Sequence, residues 1–306
     1  MLYKASAPGS LMLLGEYAVL HGKPALVCAV DKRIHVTLTP NSDDTIEIYS
    51  DTHGQYQTNL SQLTIEKPFQ YVLGALKQYE GKMRRGCRID IRADFSDQIG
   101  FGSSAAVTVA TLATLAAWQR TKMTPQDLLR QGRMAVRTVQ GVGSGADVAA
   151  SVYGGIVGYQ MQPLAAERIA ITHPIIALYA GFKTPTTEAI KQVQTRFAPH
   201  PEVFRHLCHA IGQCAQEGIA YARKQDWQAL GAIMNIQQGL MESLCVSLPM
   251  MRDMIDHLRK QPQIVGAKIS GSGMGDCVVA LGEVENQFHH AQHIAVNMTL
   301  QGVKGD

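Results

Sequence analysis

The chain has 306 residues, of which 46% are hydrophobic and 17% charged, and its formal net charge is +3. That composition belongs to a folded globular protein and excludes a disordered one. The mild charge admits an anionic small molecule but provides no basic stripe for nucleic acid, and no apolar run reaches the roughly 18 residues of a membrane helix. The six cysteines, at 28, 87, 208, 214, 245 and 277, form no CxxC pair and no His/Cys metal spacing, so they read as reduced and mostly buried thiols. The first ten residues lack a charged start followed by a long apolar core, so no signal peptide is expected and the cytoplasm is the expected location.

Residues 3–14 read as a short strand, a turn at Pro8-Gly9 and a second strand at Leu11–Leu14. Pro24–Val30 has the pattern of a buried strand, and Arg33–Thr39 alternates, with Ile34, Val36 and Leu38 on one face. Ile46–Tyr49 is a further strand, a helix is expected over about 67–79, and Cys87–Ala93 alternates again. Then Gly100-Phe101-Gly102-Ser103-Ser104 runs straight into a long, alanine-rich apolar helix. A helix N-terminus carries unpaired N–H groups and the positive end of the macrodipole, so anions gather there. Glycines let such a backbone close on a ligand, and Ala105 and Ala106 keep the approach clear. By itself the loop has a plainer alternative, a glycine-rich turn capping a buried helix. It is neither a Walker loop, since no GK[ST] ends it, nor a spaced GxGxxG.

Thr124-Pro125-Gln126-Asp127 is a good helix start, with a capping threonine and a proline at the first helical position, and that helix should run to about Val139. The flexible stretch Gly141–Asp147 leads into a short helix, Gly154-Gly155 and a strand at Ile156–Gln160. Residues 161–173 read as a connection between domains. A strand at Ile175–Ala180, a helix at Thr186–Phe197 and long helices near 201–223, 226–245 and 248–260 follow. The chain closes with strands at 265–270 and 277–281 around a glycine turn, and a helix near 285–298. Methionines at helical spacing in the long helices read as core filling, and the histidines show no HExxH spacing, so no structural metal is expected. The sum is α+β, in two mixed domains, 1–165 and 166–306.

Three glycine-rich stations stand in order: Ala7-Pro8-Gly9 through Gly15-Glu16, then Gly100 to Ala106, then Ser270 to Asp276 (SGSGMGD). In these motifs and their spacing the chain resembles the GHMP kinases (galactokinase, homoserine kinase, mevalonate kinase, phosphomevalonate kinase). The resemblance implies an N-terminal domain like domain 2 of ribosomal protein S5 and a ferredoxin-like C-terminal domain, with ATP between them. It puts the phosphates on Gly100, Gly102, Ser103, Ser104 and Ala105, offers a serine hydroxyl, Ser104, to Mg²⁺, and closes the site with Gly271, Ser272 and Gly273. The galactokinase signature is absent after Glu16. GEYAVLHGKPAL resembles the mevalonate and phosphomevalonate kinase branch; His21-Gly22-Lys23-Pro24-Ala25 leans to the first, and Gly275-Asp276-Cys277 to the second.

The resemblance makes Asp147, in Ser144-Gly145-Ala146-Asp147, the base that accepts the acceptor's proton; the local alternative is that Asp147 caps the short helix. Two departures stand out. Ser10 occupies the place of a lysine usual in this branch, and Arg133–Arg137 carries no acid where a Mg²⁺-binding glutamate is usual. Lys183 is the first candidate for the replacement cation and Lys4 the second, with Glu16, His21, Ser144 and Thr187 as substrate contacts. The function so implied is ATP- and Mg²⁺-dependent phosphorylation of mevalonate, a small-molecule reaction with no nucleic-acid or membrane partner that allows a homodimer. Its rivals are phosphorylation of phosphomevalonate, whose phosphate would need Arg137, Lys183 or Lys191, and a catalytically weak protein that binds nucleotide or a partner.

Overall fold

Alternating apolar residues build the first sheet around two long strands. A computed structural model describes residues 1–284 and 292–305. β1 (Tyr3–Leu14) and β2 (Ala25–Pro40) pair antiparallel, and β5 (Cys87–Ala93) pairs β2 from the other side, after β3 (Thr45–Ser50) and β4 (Gly54–Asn59), a hairpin whose second strand the sequence reading passed over. β3 runs parallel to β5. Pro8-Gly9 is not a turn: β1 continues through it, with a register shift between Pro8 and Ser10. A bulge re-aims the strand without ending it, and proline is tolerated where the ladder is already interrupted.

Four helices lie with this sheet: α1 (Gln70–Lys77), α2 (Ser103–Trp118), α3 (Pro125–Gln140) and α4 (Ala146–Tyr153). α2 packs on β1 and β2 and is flanked by α1, α3 and α4. Eleven of its 16 residues are buried, so its nearly uniform apolar surface is that of a central helix and not of a surface one. Its buried hydroxyls at Thr108 and Thr111 donate to the carbonyls of Ser104 and Val107, each at 2.7 Å. α3 opens on a capping box: Thr124 Oγ1 accepts from the Asp127 amide and Asp127 Oδ2 from the Thr124 amide, both at 3.1 Å. Beyond it, β6 (Ile156–Gln160) pairs β2, and β7 (Ala165–Ile169) pairs β6. The stretch 161–173 therefore holds a strand of the first sheet and is not a bare connection.

The second sheet is antiparallel, in the order β11-β8-β10-β9, from β8 (Ile175–Tyr179), β9 (Gly266–Ser270), β10 (Cys277–Leu281) and β11 (Gln292–Ile294). Its helices are α5 (Thr186–Phe197), α6 (Pro201–Lys224), α7 (Trp227–Ser243) and α8 (Pro249–Arg259). Met234, Met241, Met251 and Met254 are buried in them. Of the helix expected near 285–298, residues 285–291 lie outside the described residues, and Gln292–Ile294 is a strand paired to β8. The first sheet reaches past the expected division at 165, and a last strand, β12 (Lys304–Gly305), returns to β1. No helix among the described residues is long and apolar enough to cross a membrane.

α7 meets β9 at two glycines. A Cβ on Gly231 would stand 2.3 Å from the carbonyl oxygen of Val265, and one on Gly266 2.3 Å from that of Gly231. Since both obstacles are backbone, Gly231→Ala should push the helix off the sheet and destabilise the protein by about 1–3 kcal/mol, read as a lower urea midpoint at unchanged slope.

Candidate active site

The glycine loop bends because two of its residues have left-handed backbone: Gly100 at φ 75° and Gly102 at φ 62°. Gly102 is the N-cap of α2, and no side chain caps that end. The first turn of a long buried helix thus opens directly on a cavity lined by Gly100, Gly102, Ser103, Ser104 and Ala105. This is the geometry of an anion site.

The bulge in β1 delivers the next component. The Ser10 amide donates to the carbonyl of Phe101 at 3.0 Å, tying the first station to the loop. The Ser10 hydroxyl donates to Asp147 Oδ1 at 2.8 Å. A Cβ on Gly102 would lie 2.3 Å from Ser10 Oγ and 3.5 Å from the carboxyl carbon of Asp147, so the carboxylate sits directly over the loop. Asp147 makes no cap to α4, whose N-cap is Gly145, and the capping alternative falls away. Burial raises its pKa above the usual carboxylate range; the Ser10 hydrogen bond and the charge of Lys183 oppose the rise, and Glu16 adds to it. Lys183 comes from the second half of the chain, lines the cavity and donates from Nζ to the carbonyl of Asp97 at 2.8 Å.

Glu16 borders the same cavity but is 2% exposed, and its carboxylate is already engaged. Lys268 on β9, fully buried, pairs with Oε1, while Gln237 on α7 donates to Oε2. The Gly271 amide approaches Oε1 at 3.4 Å. Burial pulls the Lys268 pKa down and Glu16 holds it up. Next to Glu16, the Tyr17 hydroxyl donates to the carbonyl of Ser272 at 2.6 Å, and burial pushes that phenol up, so it stays neutral. Glu16 is therefore a structural clamp between the halves, and the expectation of a free substrate contact gives way to it.

The third station closes the cavity with Gly271, Ser272 and Asp276. Ser272 Oγ and Asp276 Oδ1 are both buried without a hydrogen-bond partner. Two such atoms on one cavity-lining turn are free to hydrogen-bond a polar ligand or water. Burial pushes Asp276 up to about 6; the charge of Lys183 pulls it down, and Asp147 adds to the rise. Gly273 does not line the cavity: a Cβ there would stand 2.6 Å from the carbonyl of Val246, so this glycine serves close packing.

Ser103 and Ser104 also border a second cavity on the other side of the loop, walled by Phe69, Tyr71, Val72 and Phe95. A third cleft shares Tyr17, Leu20, Gly143 and Ile190 with the first and adds His21 and Arg137. His21 thus stands beside the Asp147 cavity and not in it; its ring meets Phe204 edge-on at 5.2 Å, and burial lowers its pKa. Ser144 lines the first cavity, with its hydroxyl accepting from the Ala146 amide at 3.2 Å. Thr187 points to solvent; one residue earlier, Thr186 opens α5 and lines the cavity. A helix turns about 100° per residue, so adjacent positions cannot share a face. Lys4 is exposed and borders a different depression on the sheet, which removes it as a candidate. The sequence reading passed over Lys268 and Gln237 and gave Asp276 no role. Lys268 had one signal available, a lone charge amid the apolar strand GAKIS.

Two family descriptions match the chain: "GHMP kinases N terminal domain" over residues 70–155 and "GHMP kinases C terminal" over residues 219–298. Together they take in more than half of it. Among curated relatives, a mevalonate kinase of Thermococcus sibiricus is 28% identical over 97% of this chain and 94% of its own length. One of Saccharolobus solfataricus is 26% identical over 99% and 98%. The crystal structure of the Methanococcus jannaschii mevalonate kinase shares the fold, with a TM-score of 0.80 at 21% identity over 97% of this chain and 98% of that one.

Removing one partner of a buried ion pair leaves the other charge without compensation. Lys268→Met should therefore cost about 3–5 kcal/mol of stability near neutral pH. Urea unfolding of wild type and variant at neutral pH checks the loss.

Proposed function

The chain belongs to the GHMP kinase family, and from that premise we infer that it transfers the γ-phosphoryl group of ATP to the hydroxyl of mevalonate, giving 5-phosphomevalonate. The observation that carries this reading is the Asp147 carboxylate held by Ser10 directly over the glycine loop. The curated relatives, mevalonate kinases that align with nearly all of the chain, supply the acceptor.

The loop lies between two cavities, which suits a reaction with two substrates. The aromatic cavity beyond Ser103 and Ser104 suits a nucleoside, with its phosphates crossing the α2 N-terminus. The cavity on the Asp147 side takes the acceptor. Its apolar wall, including Val19, Leu20, Val148 and Ile190, suits the carbon skeleton of mevalonate, and Arg137 in the adjoining cleft suits the carboxylate end. Asp147 keeps one oxygen on Ser10 and offers the other to the acceptor hydroxyl. It orients that oxygen for in-line attack and accepts its proton as the new P–O bond forms and the bond to ADP breaks. Burial makes the carboxylate more basic than an ordinary one, while Lys183 opposes that rise and supplies positive charge near the transferring group.

Mg²⁺ accompanies the nucleotide in this reading, and the orphaned Ser272 Oγ and Asp276 Oδ1 fit a polar, charged ligand at the cavity wall. Bound, it neutralises the charge on the transferring phosphates. The Ser104 hydroxyl would hold it.

Coupled assay of ADP release should show turnover with mevalonate and little with phosphomevalonate. Asp147→Asn should lower kcat by about 10²–10⁴-fold while ADP binding persists. Faster turnover of phosphomevalonate would transfer the assignment to that substrate, and nucleotide binding without turnover of either would leave only a binding protein. Because the Asp147 pKa is raised in the ligand-free enzyme and the base must be ionised, kcat/KM for mevalonate should fall with decreasing pH through a point above the usual carboxylate range. A pH profile of kcat/KM for wild type reads that limb.

A further inference from the structure

Three carboxylates line the Asp147 cavity: Glu16, Asp147 and Asp276. Glu16 is saturated by Lys268 and Gln237, and Asp147 is engaged by Ser10. Asp276 is different. It is 5% exposed, its Oδ1 has no partner, and it borders the cavity.

Its position is as telling as its isolation. A Cβ on Gly100 would lie 2.9 Å from Asp276 Cβ and 3.2 Å from Oδ1. The carboxylate therefore abuts one glycine of the phosphate loop, as Asp147 abuts the other, Gly102. Bare phosphates and an adjacent carboxylate repel, and the charge of Lys183 offsets the burial of Asp276 only in part, leaving Oδ1 without a hydrogen bond. Both penalties vanish if a cation lies between them. α3, meanwhile, brings only Val136 and Gln140 to this cavity and no acid. No group of three or more Asp, Glu, His or Cys that could hold a metal occurs among the described residues, so a cation here must take most of its ligands from phosphate and water. That is the habit of Mg²⁺, which binds through one or two carboxylates together with substrate phosphates.

We propose that Asp276 is the carboxylate ligand of the nucleotide-bound Mg²⁺, delivered by the third glycine turn in place of an acid on α3. The assignment rests on the kinase reading, and it gives the turn a task beyond closing the cavity: the metal binds the C-terminal half to the phosphates resting on the N-terminal half. Ser272, whose hydroxyl is orphaned beside it, donates to the same phosphates.

Asp276→Asn is the suitable variant, because Asp276 has φ 64° and asparagine tolerates that left-handed backbone. Mn²⁺ serves as the probe, with free Mn²⁺ read by electron paramagnetic resonance in the presence of ADP, and ADP binding is measured separately in EDTA by calorimetry. The variant should hold Mn²⁺ at least about tenfold more weakly in the ternary complex, and should bind metal-free ADP as well as wild type or better, since a repelling charge is gone. A merely structural role would weaken both together. Unchanged Mn²⁺ affinity, or equal loss with and without metal, would overturn the assignment while leaving the kinase reading intact. Wild type that binds no ADP under either condition would overturn the kinase reading and this assignment with it.

Discussion

The buried pair of Glu16 and Lys268 is the constraint on which the rest depends. Glu16 follows β1 of the first sheet, and Lys268 lies in the middle of β9 of the second, so one fully desolvated ion pair spans the two halves of the chain. A pair taken out of water at such cost survives only with its remaining valences filled. Gln237 fills them, donating to Glu16 and accepting from the Gly15 amide at 3.0 Å, while Tyr17 reaches the backbone of the third glycine turn. α7 can present Gln237 there because Gly231 lets the helix lie against β9 without a side chain between them.

From that clamp the site assembles in both directions. Upstream, the bulge at Pro8–Ser10 turns Ser10 toward Asp147 and hooks its amide to Phe101. The loop, the Asp147 carboxylate and the first strand are thereby held as one unit. Downstream, the third turn swings Ser272 and Asp276 to the opposite wall. Lys183 bridges the two from a third direction, anchored on the Asp97 carbonyl, with its charge acting on both Asp147 and Asp276. A single lysine influencing two carboxylates accounts for a site that lacks a cation at position 10.

The opposing environments of the carboxylates separate their tasks. All three are buried, yet Glu16 is paired directly with a full charge, Asp147 is hydrogen-bonded by one hydroxyl, and Asp276 Oδ1 has no hydrogen-bond partner, while the charge of Lys183 acts on both aspartates. The fully paired group suits a structural task, the partly paired one the proposed proton transfer, and the unpaired one the proposed ligand. This ordering follows from the cost of burying charge, and it places chemistry where compensation is incomplete.

Much of this was legible in the residues. Strand alternation, the Thr124–Asp127 cap and the glycines before a long apolar helix have local causes, and the elements they announce are present. Errors came where a local pattern competes with pairing. Pro8-Gly9 has turn chemistry, but β2 lies alongside and the strand continues through a bulge; Gln292–Ile294 read as helix, but β8 offers it an edge. Thr187 missed the cavity by one residue because the helical phase depends on where α5 begins. The sequence by itself determined the helix and strand grammar, the glycine loop at a helix N-terminus and the residue types proposed for phosphoryl transfer, since these depend on neighbours in the chain. Only the tertiary structure decided that Glu16 is a clamp, that Ser10 holds Asp147 and that Asp276 stands alone over Gly100. Partners separated by 137 residues for Ser10–Asp147 and 252 for Glu16–Lys268 are set by packing, which no local pattern encodes.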